Sequence, residues 1–405
     1  MATFFILIIY LAFISLGLPD SLLGSAWPVM RVELGASIGT AGVISMAIAG
    51  CTIVSSLASG AVIRRYGVGL VTLVSCMLTA GALLGFAWSP SLVWLIVFAI
   101  PLGLGAGSVD AGLNNYVALH YKAHHMSWLH CFWGVGATLS PMIMASYISG
   151  EALWRQGYLT VAAVQGSLVL ILLFSLPLWD KVAARSRGSR PEERHEPETQ
   201  VRESASEAES GSTKPWRIKG VRVSMIAFLF YCGVESSVGL WGSSFLVGMK
   251  KLPASTAAEW VSLFFVGITV GRMITGFITF GVSNRSLIRY GQLTALFGTV
   301  LLALPLPSGF SLAGFMVIGL GLAPIFPCML HETPARFGNK HSQSIMGFQM
   351  AAAYTGSTFV PPLLGALASY STIGILPFFI VAFAAIMLIC SERLNRFLNR
   401  KPQAI

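Results

Sequence analysis

Charged residues are scarce in this sequence: they make up 10% of its 405 residues, while 55% are hydrophobic and the mean hydropathy is +0.74. A soluble domain usually carries about 25% charged residues, so too few are present here to cover a water-facing surface. The six cysteines and the aperiodic glycines exclude a disulfide scaffold and a collagen. The composition is that of a polytopic membrane protein.

Acidic residues are fewer than basic ones, 16 against 26, and half of the acids fall in the single stretch 180–221. That stretch is rich in Ser, Glu and Arg and poor in large apolar residues, so we expect a flexible linker. The remaining basic residues mostly flank apolar runs. The net charge of +10 therefore belongs to loops, and we expect no nucleic-acid partner.

Apolar runs of about 20 residues, long enough to cross a bilayer, recur along the chain. They are continuous rather than alternating, which favours helices over a β-barrel. The prolines and glycines within them are tolerated in membrane helices. We predict an all-α polytopic membrane protein with twelve transmembrane helices, over 4–30, 39–63, 69–88, 91–119, 127–149, 157–179, 222–247, 257–281, 286–304, 309–331, 340–368 and 373–392.

The basic residues lie mostly on one side of these spans. With the N-terminus inside, 21 of the 26 fall in inside loops or the C-terminal tail, four lie outside and one lies within a span. The positive-inside rule places the basic side in the cytoplasm. The first run has no charged leader and no small-residue cleavage site, so we expect an uncleaved span. We predict a multi-pass protein of a bacterial inner or plasma membrane with both termini cytoplasmic.

A repeat relates the two halves of the chain. The pattern acid-Ser-x-x-Gly begins at Asp20 and again at Glu235, 215 residues later. An even number of spans per unit gives both copies one orientation, the parallel-repeat arrangement of the major facilitator fold. We predict two pseudo-symmetric six-helix bundles, 1–179 and 222–405, joined by the linker 180–221. Three further pairs support the repeat: Gly60 with Gly276, Gly103-x-Gly105 with Gly319-x-Gly321, and Gly136-x-Thr138-x-x-Pro141 with Gly356-x-Thr358-x-x-Pro361.

Four charged residues lie within the spans: Asp20, Asp110, Glu235 and Arg272. A charge at the centre of a membrane helix costs about 2.5–3.5 kcal/mol on insertion scales. A carboxylate there must face a wet cavity, pair with a cation, hydrogen-bond a neighbour or take up a proton. Three acids cannot all pair with one base, so we expect proton coupling through Asp20, Asp110 or Glu235. Arg272 is expected either to pair in a gate or to extend to the membrane surface.

Polar and aromatic side chains accompany these acids. Asp110 and Asn114 lie four residues apart and so share one helix face. Amides, an imidazole and aromatic rings could bind a polyhydroxy solute, although each ring could equally pack or anchor. Substrate-binding candidates are Asn114, Asn115, His130, Trp133, Glu235, Trp241, Gln349 and Tyr354.

Motifs for catalysis or nucleotide binding are not found. The sequence has no P-loop, no Ser/His/Asp set and no zinc spacing, so we expect no enzyme, no ATP-driven pump, no cofactor and no metal site. His120, His124 and His125 are expected on a solvated loop. The cysteines are expected to be small packing residues.

The span motifs resemble those of the fucose:proton symporter branch of the major facilitator superfamily. That resemblance implies proton coupling and sugar contact for Asp20 and Asp110. The Glu of that branch is Asp110 here, and its span-five Gln and Asn are His130 and Trp133, so fucose itself is not implied. The similar stretches are Leu18-Pro19-Asp20-Ser21-Leu22-Leu23, Asp110 with Asn114, His130-Cys131-Phe132-Trp133, and Tyr231-Cys232-Gly233-Val234-Glu235.

The expected function is proton-driven uptake of a monosaccharide or similar small polar solute by a monomer embedded in membrane lipid. A proton-antiport exporter of drugs or metabolites is one alternative. A sodium-coupled sugar carrier is a second, since a carboxylate cluster can hold either ion. A non-transporting sensor or scaffold, whose linker binds a partner, is a third.

Overall fold

The computed structural model describes residues 2–121, 123–149, 153–188, 218–279 and 281–399, and every regular element in these ranges is helical. The helices are α1 (Ala2–Asp20), α2 (Leu22–Glu33), α3 (Thr40–Tyr66), α4 (Val68–Trp88), α5 (Leu92–His120), α6 (Ala123–Ile148), α7 (Trp154–Gly188), α8 (Val221–Lys250), α9 (Ala254–Ile278), α10 (Asn284–Ala303), α11 (Ser308–Leu322), α12 (Ile325–His331), α13 (Thr333–Phe337), α14 (Asn339–Tyr370) and α15 (Leu376–Asn399). A short 3₁₀ turn, Ile373–Ile375, precedes α15.

Eleven segments of the described chain are long and apolar enough to cross a membrane. Two of them are composite: α1 and α2 together form Phe5–Glu33, and α11 and α12 form Ser308–His331. Helix α14 has 32 residues but is richer in polar side chains. It lies between the last two of these segments in the chain and corresponds to the predicted span 340–368. The predicted twelve-helix, all-α fold is confirmed, and the protein is a multi-pass integral membrane protein.

The predicted linker is only partly described. Helix α7 continues to Gly188, so the first nine residues of 180–221 are helical and not irregular. Helix α8 begins at Val221. Residues 189–217 lie outside the described residues, and the division into two bundles with a flexible linker stays a prediction.

The first span is interrupted between α1 and α2, immediately after Asp20. Pro19 has no backbone N–H, so the Ser15 carbonyl loses the helical donor it would otherwise have. The buried Gln165 side chain of α7 supplies that donor, with Nε2 2.8 Å from the Ser15 oxygen. Ser21, at the break, donates from its hydroxyl to the Ala137 carbonyl of α6 at 2.7 Å. The break is therefore held by two neighbouring helices.

Glycines allow helices to cross at backbone contact in both halves. In α1 and α6, Gly17 lies against the Trp133 carbonyl and Gly136 against the Ile14 carbonyl, where a Cβ would overlap. In the second half, Gly356 of α14 meets the Leu229 carbonyl of α8 in the same way. Span one thus crosses span five as span seven crosses span eleven, which agrees with the repeat in the sequence.

The two halves meet along α6 and α9 and again near one end of the bundle. We name the side that holds the start of α1 and the end of α15 the terminal side, and the opposite side the distal side. Near the distal ends, Gly24 of α2 faces the Gly239 carbonyl of α8 at backbone contact, and Gly42 of α3 lies against Pro362 of α14. The Gly39 N–H also donates to the Ser369 hydroxyl at 3.1 Å. These contacts form a distal seal.

A clamp fastens the distal ends of the first bundle. Arg155 at the start of α7 pairs with Glu33 at the end of α2, Nη2 to Oε1 2.8 Å. The same guanidinium donates to the carbonyls of Ala87 and Ser89 at 2.9 Å each. The indole N–H of Trp154 also donates to Glu33. Three spans are joined by this clamp.

Candidate functional site

Asp20 lies beside the helix break, in the interior of the bundle between the two halves. Its carboxylate is exposed although α6 and α8 run beside it. Oδ2 accepts a hydrogen bond from Nε1 of Trp133 at 2.7 Å. Because the distal seal closes one end, we infer that the exposed side chain of Asp20 faces an opening toward the terminal side.

Arg272 of α9 lies over the face of the Trp133 ring. Its guanidinium carbon is 5.1 Å from the centre of the Trp133 ring, which is a cation–π contact between the two halves. It also pairs with Glu235 of α8, Nη2 to Oε1 3.5 Å. The two side chains are only 14% and 17% exposed. Arg272 therefore lies in the interface between the halves and does not extend to the membrane surface.

Asp110 and Asn114 form a local pair on α5. The Asn114 side-chain amide donates to Oδ1 of Asp110 at 2.8 Å and to its backbone carbonyl at 2.9 Å. Both side chains are partly exposed. Their i, i+4 spacing predicts a shared helix face, and the structure places both side chains on one face.

Tyr354 of α14 reaches across from the second half toward Asp110. It lies within electrostatic range of that carboxylate and close to Ser56 of α3. The Ser56 hydroxyl in turn donates to the Gly107 carbonyl at 3.1 Å. Tyr354 therefore connects the halves close to Asp110.

The three acids form a single charge cluster. Asp20 interacts electrostatically with both Asp110 and Glu235. Among the ion pairs of the described residues, the guanidinium of Arg272 is paired with Glu235, and none involves Asp20 or Asp110. Two carboxylates thus face the opening without a cation, and such groups must stay solvated, bind a cation or take up a proton.

Trp241 and Gln349 do not join this cluster. Trp241 is fully buried in α8 and donates its indole N–H to the Pro361 carbonyl at 2.9 Å. Gln349 is 1% exposed; it donates to Ser224 at 2.8 Å and accepts from Thr333 at 2.9 Å. The polar groups of both side chains are hydrogen-bonded inside the second bundle, because both residues lie on helix faces that point away from the opening.

The histidines are divided between the site and the terminal side. His130 is partly exposed, lies edge-on to Phe13 with the ring centres 6.0 Å apart, and interacts electrostatically with Arg272. The expectation that His120, His124 and His125 lie on a loop is wrong: α5 ends at His120, and α6 already includes the other two. His125 Nδ1 is 2.7 Å from the Tyr10 hydroxyl.

The side chain of Asn115 lies outside the described residues. Among the residues that the structure describes, no group of three or more His, Cys, Asp or Glu could hold a metal ion.

Several contacts at the site were not foreseen. Ser56 was missed because an isolated serine in an apolar span gives no functional signal. The contact of Arg272 with Trp133 joins residues 139 positions apart, so no local pattern could reveal it. Tyr231 is buried beside Glu235 and Arg272, and a tyrosine in a span gives no separate functional signal.

A bundle of membrane-spanning helices with an internal repeat and three acids close together in its interior is typical of a membrane carrier. The chain matches the family model of the Major Facilitator Superfamily over residues 9–361. It therefore belongs to that family of membrane transporters.

The proteins of known name that the chain resembles share less than a quarter of its aligned residues. The chain is 24% identical over 387 residues to Bypass of stop codon protein 6 of Saccharomyces cerevisiae, covering 90% of this chain and 76% of that protein. It is 23% identical over 313 residues to the glucose/mannose transporter GlcP of Bacillus subtilis, covering 76% and 74%. The inward-open structure of the xylose transporter XylE from E. coli matches with a TM-score of 0.75 at 12% identity, covering 100% of this chain and 98% of that one. This last likeness establishes the fold alone.

Proposed function

We propose that the protein is a proton-coupled importer of a monosaccharide or similar small polar solute that works by alternating access. The observation that carries the proposal is that Asp20 is exposed and has no cationic partner among the described residues. This acid is exposed to the opening and hydrogen-bonded by the neutral indole of Trp133, whereas the nearby cation pairs with Glu235. An acid so placed can take up a proton from one side and release it to the other once the halves rock.

The side chains around the opening suit a polyhydroxy solute. Asn114, Tyr354 and His130 offer donors and acceptors from both halves, and aromatic rings can pack against a sugar. Because these groups come from α5, α6 and α14, a solute bound among them would contact both bundles. The name of the relative GlcP supports a sugar as solute.

The sidedness of transport follows from the positive-inside rule. That rule places the terminal side, and with it both chain ends, in the cytoplasm. The opening at Asp20 would then face the cytoplasm, and the distal seal would close the outside. Import requires that this seal opens while the terminal side closes.

The test is uptake into proteoliposomes over a panel of sugars, with either a proton or a sodium gradient imposed. We expect one or more sugars to accumulate with the proton gradient. Asp110→Asn should abolish gradient-driven accumulation and retain exchange of labelled for unlabelled solute, because exchange needs no net proton movement. Glu259→Gln is the matched control, since this exposed acid of α9 lies near the distal end and outside the cluster.

Three results would overturn the proposal in different ways. Accumulation with a sodium gradient alone would replace the coupling ion. Gradient-driven expulsion of the solute would reverse the direction and favour an exporter. No flux of any sugar in either gradient, from correctly folded protein, would exclude a sugar importer.

A further inference from the structure

We propose that Arg272 exchanges ionic partners during transport, between Glu235 of its own half and Asp20 of the opposite half. The guanidinium stays in contact with the Trp133 ring while the partner changes. This inference rests on the proposed alternating-access function. It assigns to Arg272 a positioning role: which carboxylate it pairs with determines which side of the protein is open.

Contacts with Trp133 and with one another connect the three charged groups. One edge of the indole holds Asp20, with Nε1 and Oδ2 2.7 Å apart. One face of the same ring holds the Arg272 guanidinium, 5.1 Å from the ring centre. Glu235 lies beyond Arg272 at 3.5 Å. A single aromatic ring therefore separates the cation from its second possible partner.

The present pairing is loose enough to exchange. At 3.5 Å, the closest approach of Arg272 and Glu235 is longer than the 2.7–2.9 Å of a strong charge-assisted hydrogen bond. By contrast, the Arg289–Glu392 pair at the edge of the second bundle is bidentate at 2.6 Å for both bonds. A cation resting on an aromatic face keeps part of its stabilisation while it changes partners.

The charged and polar groups around Arg272 favour its pairing with either carboxylate. Arg272 interacts with Tyr231 and Glu235 of α8 and with His130 and Cys131 of α6, and Glu235 also interacts with Asp20. Asp110 adds a further negative charge near Asp20. An ionised Asp20 therefore attracts Arg272, whereas a protonated or solute-bound Asp20 leaves it on Glu235.

The exchange links chemistry to conformation. Pairing within the second half lets the bundles separate at the terminal side. Pairing of Arg272 with Asp20 would bridge the halves by a direct ion pair and draw them together at that depth, which favours the opposite opening. Interfaces of this kind have two stable arrangements and not a continuum.

The two acids then predict opposite effects. Asp20→Asn removes the second partner and should hold the protein with the terminal side open. Glu235→Gln removes the present partner and should favour the state with the distal side open. For each variant we expect about a tenfold change in the ratio of the two populations, which is about 1.4 kcal/mol.

Distances between spin labels measure this without any substrate. One pair of labels replaces Val32 and Tyr370, which are exposed at the distal ends of the two halves; the other replaces Tyr66 and Tyr290, exposed toward the terminal side. The background carries Ser or Ala at the six native cysteines. Glu235→Gln should lengthen the distal distance and shorten the terminal one, and Asp20→Asn should shift both populations in the opposite direction.

Glu332→Gln serves as the matched control, because Glu332 pairs with Arg285 and Arg336 wholly within the second half. It should leave both distances unchanged. The double variant of Asp20→Asn with Glu235→Gln should fall between the single variants.

The proposal is overturned if the two single variants shift the distances in the same direction, or if neither shifts them. Arg272→Lys should keep both populations, while Arg272→Gln should make the protein insensitive to the two acid substitutions. Because the readout is a distance, failure here is distinct from failure of the transport proposal, which would appear as absent solute flux in proteoliposomes.

Discussion

Gln165 donates from α7 to the Ser15 carbonyl at 2.8 Å and takes the place of the backbone N–H that Pro19 lacks. Removing a partner from a buried polar group costs about 1–3 kcal/mol. Gln165→Leu should therefore lower the free energy of unfolding by that amount, measured as a fall in melting temperature in detergent.

A double-mutant cycle separates this contact from general packing. Pro19→Ala restores the N–H at position 19, so Gln165→Leu should cost less in that background. An equal loss in both backgrounds would mean that Gln165 contributes by packing and not by replacing the missing donor.

The distal clamp predicts a second stability effect. Arg155→Gln loses the ion pair with Glu33 and the bonds to the Ala87 and Ser89 carbonyls. The ion pair is partly exposed and contributes little, about 0–1 kcal/mol, but the two carbonyl bonds add to it. We expect a loss of about 1–2 kcal/mol by thermal unfolding. Arg65→Gln, at an exposed position beside Tyr66, is the control and should leave the melting temperature unchanged.

The distal seal predicts a conformational effect. Gly24 touches the Gly239 carbonyl so closely that a Cβ cannot fit, so Gly24→Val should push the distal ends apart. The label pair at Val32 and Tyr370 should then report a longer distance. Gly309→Val, where a Cβ on the distal end of α11 meets open space, should leave it unchanged. A seal that stays closed in Gly24→Val would show that the halves are held elsewhere.

Gln349 distinguishes a structural from a substrate-binding role. Its amide bonds to Ser224 and Thr333 lie inside the second bundle. Gln349→Leu should lower the melting temperature by the equivalent of about 1–3 kcal/mol while the KM for the transported solute is unchanged. Asn114→Ala, at the opening, should raise the KM with little change in melting temperature. The reverse pattern would return Gln349 to the pocket.

The fold was predictable from the sequence because its signals are strong. The cost of burying charge and backbone polar groups in lipid forces long apolar helices, so twelve runs could be recognised. Fine bounds were less predictable: α1 ends at Asp20 and α7 continues to Gly188. A single proline marks the first feature, but the neighbouring helices that hold it are far away in sequence.

The site was predictable in its residue types and not in its pairings. The charges of Asp20, Asp110, Glu235 and Arg272 stood out against an apolar background. Which acid pairs with Arg272 depends on how α8 and α9 are rotated, and this is set by packing that no local pattern records. Trp241 and Gln349 were misplaced for the same reason, since polar residues in a span can serve the bundle interior as well as a cavity.

The glycines of the distal seal relate the repeat in the sequence to the structure. Gly24 and Gly239 occupy the same position in the two copies of acid-Ser-x-x-Gly, and they touch each other. The sequence repeat thus brings its own two copies into contact at this point. Of the acids that precede the two glycines, Glu235 pairs with Arg272 and Asp20 does not, so the two copies now differ in their ionic partners.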